Sequence, residues 1–192
     1  MTPYEYARAY AENGFCVIPI KTDGSKKPVG TFKQFQTVKP TDKEMNGFWK
    51  RRWINDSNPC GLAILHGSIS GFSEMLEAES LEDLEEFKQR LESHGLSYIL
   101  EKLTLQVASP GGGIHFIYRC PELRSLERTP GNERLASRYL LDDSGNRIPN
   151  RNKAGEVTKG YAQKPKLETR AQGGYAIAVS YTHLTLPTKR IV

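Results

Sequence analysis

Two glutamates separated by a single residue are the first candidates for chemistry. Glu77 and Glu79 lie in the segment SGFSEMLEAES, whose pattern predicts a strand. Side chains two residues apart leave the same face of a strand, so the two carboxylates are predicted to lie side by side. Neighbouring carboxylates repel each other unless a cation lies between them. Mg²⁺ and Mn²⁺ prefer oxygen ligands, and nucleotidyl transfer sites commonly use two such ions. The alternative is a solvent-facing acidic strand.

A histidine beside a glycine-rich tip is the second candidate. His115 follows the run SPGGG and opens the apolar stretch HFIYR, so its imidazole is predicted at the start of a strand. The tip, which includes Gly112 and Gly113, can let phosphate oxygens reach main-chain N–H groups. Histidine can orient a triphosphate or a metal-bound group. An ordinary hairpin turn beside a histidine is the alternative.

A third acidic residue and an arginine alternate near the end of the chain. Glu168 and Arg170 are predicted to share one strand face, just before the run QGGY. Glu168 would supply another carboxylate for metal ions, and Arg170 could grip phosphate with two parallel hydrogen bonds. A cross-strand ion pair is the alternative for this segment.

The elements that must position these side chains begin with a short amphipathic helix. Thr2 is its predicted N-cap and Gly14 follows its end. The buried strand FCVIPI and the basic loop KTDGSKKP come next. For Lys26 and Lys27 in this loop, we favour a solvated role over contact with a template or triphosphate. A second helix with an aromatic face is predicted over residues 41–53.

The rest of the chain predicts strands, one clear helix and a long loop. GLAILHG and SGFSEMLEAES predict a β-hairpin, and Ser80 caps a helix whose acidic face is predicted to be solvated. KLTLQVAS and IHFIYR predict a second hairpin. Residues 130–166 are predicted to form a polar loop that orders on substrate binding. LETRAQGGYAIAV predicts a strand pair with a Gly-Gly turn. The fold class is therefore α/β (α+β), with a mixed, largely antiparallel sheet that displays the site on one open face.

Composition narrows the class of protein. The 192 residues fit one ordinary domain, and the net charge of +5 suits a polyanionic partner. Neither a run of 18 apolar residues nor a secretory leader is present, so we expect a cytoplasmic protein without membrane contact. The three cysteines lie far apart without a CxxC spacing, which argues against a disulfide framework or a structural zinc site.

In their order, three motifs resemble those of the archaeo-eukaryotic primase superfamily. They are MLEAE with Glu77 and Glu79, SPGGGIH with His115, and LETR with Glu168, followed by GGY. The similarity is closest to the bifunctional primase-polymerase N-terminal domains of bacteriophages and mobile elements. The surrounding segments AENGFCVIPI, GLAILHGSISG, PGNERLA and ETRAQGGYAIAVS agree, and the resemblance covers residues 4–180. Many relatives carry aspartate where this chain has the acidic glutamate pair.

The resemblance implies both a function and a set of roles. Glu77, Glu79 and Glu168 would bind Mg²⁺ or Mn²⁺, and His115 would contact the incoming nucleotide, with Arg170, Gly112 and Gly113 also placed at the nucleotide. The implied activity is a DNA primase/polymerase that uses nucleoside triphosphates and a single-stranded DNA template in phage or plasmid replication. The implied architecture is an RRM-like catalytic core beside a smaller N-terminal α/β unit.

The C-terminal residues are interpreted separately. Residues 1–180 would be a catalytic domain truncated after its third motif, with further helices and a helicase domain missing. Residues 181–192 resemble the translated read-through of a sequencing adapter, and we interpret them as a non-native tail. A terminal strand formed by YTHLTL is the alternative.

Two other classes of function fit parts of the pattern. A non-catalytic module could bind single-stranded nucleic acid through basic loops and exposed aromatic residues such as Tyr175. A metal-dependent nuclease could use the same acidic cluster for hydrolysis. Binding without catalysis would persist in EDTA, and a nuclease would shorten a strand that a polymerase extends.

Overall fold

Antiparallel sheets and flanking helices make up the described part of the chain, which confirms the α+β fold class. The computed structural model describes residues 2–51, 60–103, 105–108, 112–125 and 131–179. The helices are α1 (Pro3–Glu12), α2 (Asp42–Met45, continued as a π-helix over Asn46–Arg51), α3 (Leu81–Ser93) and α4 (Tyr98–Lys102). The strands are β1 (Cys16–Ile20), β2 (Gly61–Leu65), β3 (Ser73–Ala78), β4 (Leu105–Ala108), β5 (Ile114–Arg119), β6 (Glu133–Tyr139), β7 (Pro149–Arg151), β8 (Val157–Tyr161), β9 (Gln163–Arg170) and β10 (Tyr175–Val179).

A three-stranded sheet in the order β1-β2-β10 forms the N-terminal unit. Every residue of β1 and β2 is buried, as their continuous apolar sequences require. Helix α1 begins at its predicted N-cap, Thr2, which forms a capping box with Glu5. On the aromatic face of the second helix, the indole of Trp49 is buried and donates to the carbonyl of Gly61 at 3.2 Å. Trp53 lies outside the described residues.

A five-stranded sheet in the order β4-β5-β3-β9-β6 carries the acidic motifs, and its described strands all pair antiparallel. One face packs against α3 through Leu76, Ala78 and Leu167. On the other face, Met75 and Ile117 belong to the core that the N-terminal sheet shares. Helix α3 lies in the chain between β3 and the hairpin β4-β5, and β9 pairs with the other side of β3. This order is the expected RRM-like arrangement. The second sheet face therefore meets the N-terminal unit.

The predicted hairpin β4-β5 is confirmed, but the predicted pairings of β2 with β3 and of β9 with β10 are wrong, because those strands belong to different sheets. Strand β2 pairs with β1 and β10, whereas β3 pairs with β5 and β9, and only an isolated bridge joins Gly67 to Ser73. Strands β9 and β10 are likewise split between the sheets. The chain passes between the two sheets after β2 and again after β9. These two segments lie side by side, since the N–H of His66 donates to the carbonyl of Gly174 at 2.8 Å. Gly67 has φ +103°, and a Cβ there would lie 2.4 Å from an atom of Gln172, so this close approach requires glycine.

The predicted long loop over residues 130–166 is also wrong, because the described residues 131–166 contain strands β6, β7, β8 and the start of β9. These strands are polar because most of their side chains face solvent. Side chains close the turns between them: Asp142 accepts the N–H groups of Ser144 and Asn146, at 3.0 and 2.8 Å. The segment is thus an exposed antiparallel ribbon, which lacks the apolar alternation of a half-buried strand.

Helix α3 forms as predicted, but one residue of its acidic face is buried. The side chain of Asp83 is inaccessible to solvent and forms ion pairs with Arg138 of β6 and Lys166 of β9. These pairs join the helix to the two strands. Among the described residues, no helix is long and apolar enough to cross a membrane.

Replacing Asp83 with asparagine should destabilise the domain. Removing one partner of a buried ion pair typically costs roughly 3–5 kcal/mol. We expect a decrease of about 2 kcal/mol in the free energy of unfolding, because Arg138 and Lys166 stay partly exposed and keep part of their hydration. Urea denaturation measures this change. Glu85→Gln is the control, since the pair of Glu85 with Lys88 on the same helix is exposed and should contribute less than about 0.5 kcal/mol. An equal effect of both substitutions would contradict the assignment of Asp83 as a buried anchor.

Candidate active site

The side chains of three separate sequence motifs meet on one face of the five-stranded sheet. Glu77 lies on the central strand β3, directly opposite His115 of β5 on one side and Glu168 of β9 on the other. Residues paired in this way across a sheet point to the same face. The Nε2 atom of His115 lies 3.0 Å from the Oε1 atom of Glu77, so this nitrogen carries the proton that the carboxylate accepts. The three residues thus form a row across the sheet.

Glu79 lies one residue beyond the end of β3 and belongs to the same cluster. Its backbone N–H donates to the carbonyl of Lys166 at 3.0 Å, which extends the pairing of β3 with β9. Burial raises the pKa of the Glu79 carboxyl, and the charges of Glu77 and Glu168 raise it further. The second effect requires the three carboxylates to lie near one another. The structure therefore brings together all three of the acidic residues selected from the sequence.

Two arginines flank the carboxylate of Glu168. The Oε2 atom of Glu168 lies 2.7 Å from Nη2 of Arg170, and its Oε1 atom lies 3.8 Å from Nε of Arg134. Arg134 is the residue opposite Glu168 in the pairing of β6 with β9, so the cross-strand ion pair considered from the sequence is present too. Arg170 is about one-third exposed and can exchange this carboxylate for another anion.

The electrostatics keep Glu77 charged. The hydrogen bond from His115 is the largest influence and lowers the pKa of the Glu77 carboxyl, while burial opposes it. The charges of His115, Arg170 and Lys26 lower this pKa further. Glu77 and Glu79 thus differ in their surroundings: the hydrogen bond from His115 and nearby cations outweigh burial at Glu77, whereas burial and two carboxylates outweigh Lys164 and Lys26 at Glu79.

The face opens into a cleft of about 360 Å³ between the two sheets. Glu77, His115 and Arg170 line it from the five-stranded sheet, and the N-terminal unit contributes Lys26 and Tyr175. This volume lies within the range of small-molecule sites. The segment from Gly173 to Ile177 forms one wall of the cleft. A bound molecule would therefore touch both sheets.

The loop that carries Lys26 closes over the cleft in a specific conformation. Lys26 has φ +58°, a left-handed backbone that non-glycine residues seldom adopt. The hydroxyl of Tyr175 donates to the carbonyl of Lys26 at 3.2 Å, and Phe32 packs edge-on against the Tyr175 ring. The charge of Lys26 lowers the pKa of both Glu77 and Glu79. The sequence analysis favoured a solvated role for this lysine, since no local pattern links the loop to the acidic strand.

The glycine tip beside His115 contributes less to this cleft than the sequence suggested. Gly112 has φ +86° and faces open space, and neither Gly112 nor Gly113 is among the residues that line the cleft. Residues 109–111 at the tip lie outside the described part of the chain. The nucleotide-binding role of the two glycines therefore stays a prediction.

The carboxylate oxygens of this site are ligands that a hard divalent cation prefers, although they now contact other side chains of the protein. Among the described residues, no three His, Cys, Asp or Glu side chains are arranged to hold a metal ion together. Glu168 is paired with Arg170, and Glu77 accepts from His115. Carboxylate oxygens are what Mg²⁺ and Mn²⁺ prefer, and a cation would relieve the repulsion from Glu77 and Glu168 that, after burial, raises the pKa of Glu79. Metal binding would thus require Arg170 to leave Glu168.

A comparison with protein families identifies the family of the chain. A family model described as bifunctional DNA primase/polymerase, N-terminal, matches residues 7–191. This span includes most of residues 181–192, so the match does not separate the interpreted tail from the domain. No curated protein matches the chain. Since the family model covers nearly the whole sequence, the chain belongs to the bifunctional DNA primase/polymerase N-terminal family.

Proposed function

We propose that this domain joins nucleotides on a single-stranded DNA template, taking nucleoside triphosphates as substrates. The observation that carries the proposal is the row of Glu77, His115 and Glu168 on one sheet face, open to a cleft lined by cations. The family assignment supports a primase/polymerase in general. The row supports the more specific reaction, because nucleotidyl transfer needs carboxylates for metal ions beside cations for phosphates.

Glu77, Glu79 and Glu168 would hold Mg²⁺ or Mn²⁺ in this proposal. When bound, the metal ions would neutralise the triphosphate and favour ionisation of the attacking 3′-hydroxyl. His115 holds the Glu77 carboxylate in place through the hydrogen bond at its Nε2 atom. Burial of His115 fixes the ring, so Glu77 is positioned before any substrate arrives.

Arg170 would exchange partners when the substrate binds. It now pairs with Glu168 at 2.7 Å, and its guanidinium lines the cleft. A triphosphate offers oxygens that an arginine can grip with two parallel hydrogen bonds. The move would transfer Arg170 to phosphate and release a Glu168 oxygen for metal, which couples nucleotide binding to metal binding.

A primer-synthesis assay tests the proposed function. The protein would be incubated with a single-stranded DNA template, labelled nucleoside triphosphates and either Mg²⁺ or Mn²⁺, with EDTA as the metal-free control. We expect new labelled strands that are no longer than the template and that require metal. Shortening of the template would instead indicate a nuclease. Binding that persists in EDTA without any product would indicate a non-catalytic module.

Lys26→Ala should weaken binding of the triphosphate by about tenfold, because one charged contact to phosphate contributes on the order of 1.5 kcal/mol. Lys27→Ala is the matched control: Lys27 is the next residue in the same exposed loop, and it is not among the residues lining the cleft. Fluorescence anisotropy with a labelled nucleoside triphosphate would measure both affinities. Equal affinities for the two variants would remove Lys26 from the nucleotide site.

The biological setting rests on the resemblance to phage and mobile-element domains. We propose that the domain acts in phage or plasmid replication, in the cytoplasm of a bacterial cell, with a helicase domain as its partner. A longer version of the gene that encodes a helicase after this domain would support this setting.

A further inference from the structure

An exposed β-ribbon extends from the edge of the catalytic sheet. We define the ribbon as residues 139–162, which contain β7 and β8. These two strands pair only with each other in the described structure. The two ends of the ribbon are joined by a main-chain hydrogen bond of 2.8 Å from the N–H of Leu140 to the carbonyl of Ala162, and they continue directly into β6 and β9, where Tyr139 pairs with Gln163. The ribbon contributes no residue to the buried hydrophobic clusters of the described chain.

The ribbon carries apolar side chains that the fold does not use. Nine large hydrophobic residues are exposed in the described structure, and four of them lie on the ribbon. They are Tyr139, Leu141, Val157 and Tyr161, which are 40%, 57%, 60% and 46% exposed. Clustered apolar groups on a surface indicate an interaction site more often than scattered ones do.

The two tyrosines of this set form a platform with an arginine. The rings of Tyr139 and Tyr161 lie 6.1 Å apart at an angle of 88°. The guanidinium of Arg147 lies 3.9 Å from the centre of the Tyr139 ring and 5.8 Å from that of Tyr161. All three side chains belong to exposed residues. The result is a cationic and aromatic surface whose three side chains are held by contacts with one another.

The ribbon carries a small excess of positive charge. Four cations, Arg147, Arg151, Lys153 and Lys159, face three carboxylates, Asp142, Asp143 and Glu156, and two of these carboxylates, Asp142 and Glu156, accept hydrogen bonds from neighbouring turn residues. Lys153 and Lys159 are exposed, and neither forms an ion pair within the described part of the chain. Stacking surfaces next to free cations bind single-stranded nucleic acid, because every base has a π face and every linkage a phosphate.

We propose that the ribbon binds the single-stranded template, with bases stacked on Tyr139, Arg147 and Tyr161 and with Lys153 and Lys159 near the phosphates. The choice of a template strand rests on the proposed function. Seven residues of extended chain join Tyr161 to Glu168, a span of about 23 Å. A template strand held at the carboxylates would reach the ribbon after a few nucleotides. The ribbon would thus hold the template ahead of the reaction.

Affinities for an oligonucleotide and for a nucleoside triphosphate test this proposal. Anisotropy would be measured with a labelled oligodeoxythymidylate of about 20 nucleotides and with a labelled nucleoside triphosphate, for the native chain and for Tyr139→Ser with Tyr161→Ser. Loss of stacking should weaken binding of the oligonucleotide by about tenfold or more. Binding of the triphosphate should stay within about twofold, because it fits the cleft, which the ribbon does not line. Tyr98→Ser is the control, since Tyr98 is 57% exposed on α4, outside the ribbon.

A second variant tests the charges and leaves the tyrosines intact. Lys153→Gln with Lys159→Gln should reduce the slope of log affinity against log salt by about 1.4 for the oligonucleotide. Unchanged affinity and slope for the oligonucleotide in both variants would overturn the proposal and leave the ribbon as a protein-docking surface. An equal loss of oligonucleotide and triphosphate binding would also overturn it, since it would indicate a general effect on the fold. A chain that binds the oligonucleotide through the ribbon yet makes no product would contradict the proposed function alone.

Discussion

Glu77→Gln should lower the rate of nucleotide incorporation by about 10³-fold or more. Glu77 accepts the hydrogen bond from His115 and lies directly opposite Glu168 in the pairing of β3 with β9, so it is central to the three motifs. Its lowered pKa keeps it charged as a metal ligand. A 10³-fold decrease corresponds to about 4 kcal/mol of lost transition-state stabilisation, which is of the order that a misplaced metal ion causes.

Glu74→Gln is the matched control for this prediction. Glu74 lies three residues earlier on β3, on the opposite face, where the hydroxyl of Tyr118 donates to it at 2.9 Å. The two variants change the same functional group on the same strand, so a general effect on β3 would appear in both. Incorporation would be measured at saturating nucleotide and Mg²⁺. Activity of Glu77→Gln within about tenfold of the native chain would contradict the two-metal proposal, since an essential ligand should matter more.

The positions of the strands could be predicted because the signals are local. The alternation that places Glu77 and Glu79 on one face is a property of a few consecutive residues. The caps of α1 and α3 follow equally from short runs around Thr2 and Ser80. The family resemblance then selected His115 and Glu168 from elsewhere in the chain. Their position opposite Glu77 depends on strand register, which could not be predicted from the sequence.

Membership of a sheet could not be predicted, because it depends on distant pairings. The segments before and after Gly67 look like the two arms of a hairpin, and an intervening glycine turn is present in either case. Strand β2 instead finds β1 and β10, which lie more than 40 and 100 residues away. The same limitation hid Lys26, whose loop reaches the acidic strand only after the two sheets pack together. The cleft arises entirely from this packing.

The ribbon shows a different limitation, since polar composition alone was interpreted as a loop. An exposed strand with solvent on both faces has no apolar stripe, so periodicity cannot distinguish it from irregular chain. The turn around Asp142 carried the better signal, because Asx turns and glycine close hairpins. Because the segment is already ordered, its role differs from that of a loop that orders on binding. The contact of Arg147 with Tyr139 is formed before a template arrives, so binding there would lose little conformational entropy.

Glu79→Gln should affect synthesis and stability in opposite directions. We expect incorporation to decrease about 10²-fold, because one of the proposed metal ligands loses its charge. In EDTA at neutral pH, the same variant should melt about 1–2 °C higher than the native chain, since relief of a surface repulsion contributes on the order of 0.5 kcal/mol. Burial raises the pKa of Glu79, and the neighbouring carboxylates of Glu77 and Glu168 raise it further. Removing the charge of Glu79 relieves this repulsion.

The pH dependence of this stability difference has a definite sign. The pKa of Glu79 is higher in the folded chain than in the unfolded chain, so ionisation of Glu79 favours unfolding. The penalty is fully present above the folded pKa and disappears as the pH falls below the unfolded value, where both states are protonated. Melting curves in EDTA should therefore separate the variant from the native chain at pH 7 and converge near pH 3.5. Added Mg²⁺ should raise the melting temperature of the native chain more than that of the variant, because a cation bound to Glu79 turns the repulsion into attraction. If Mg²⁺ stabilises both equally, Glu79 is not a metal ligand, whatever its effect on synthesis.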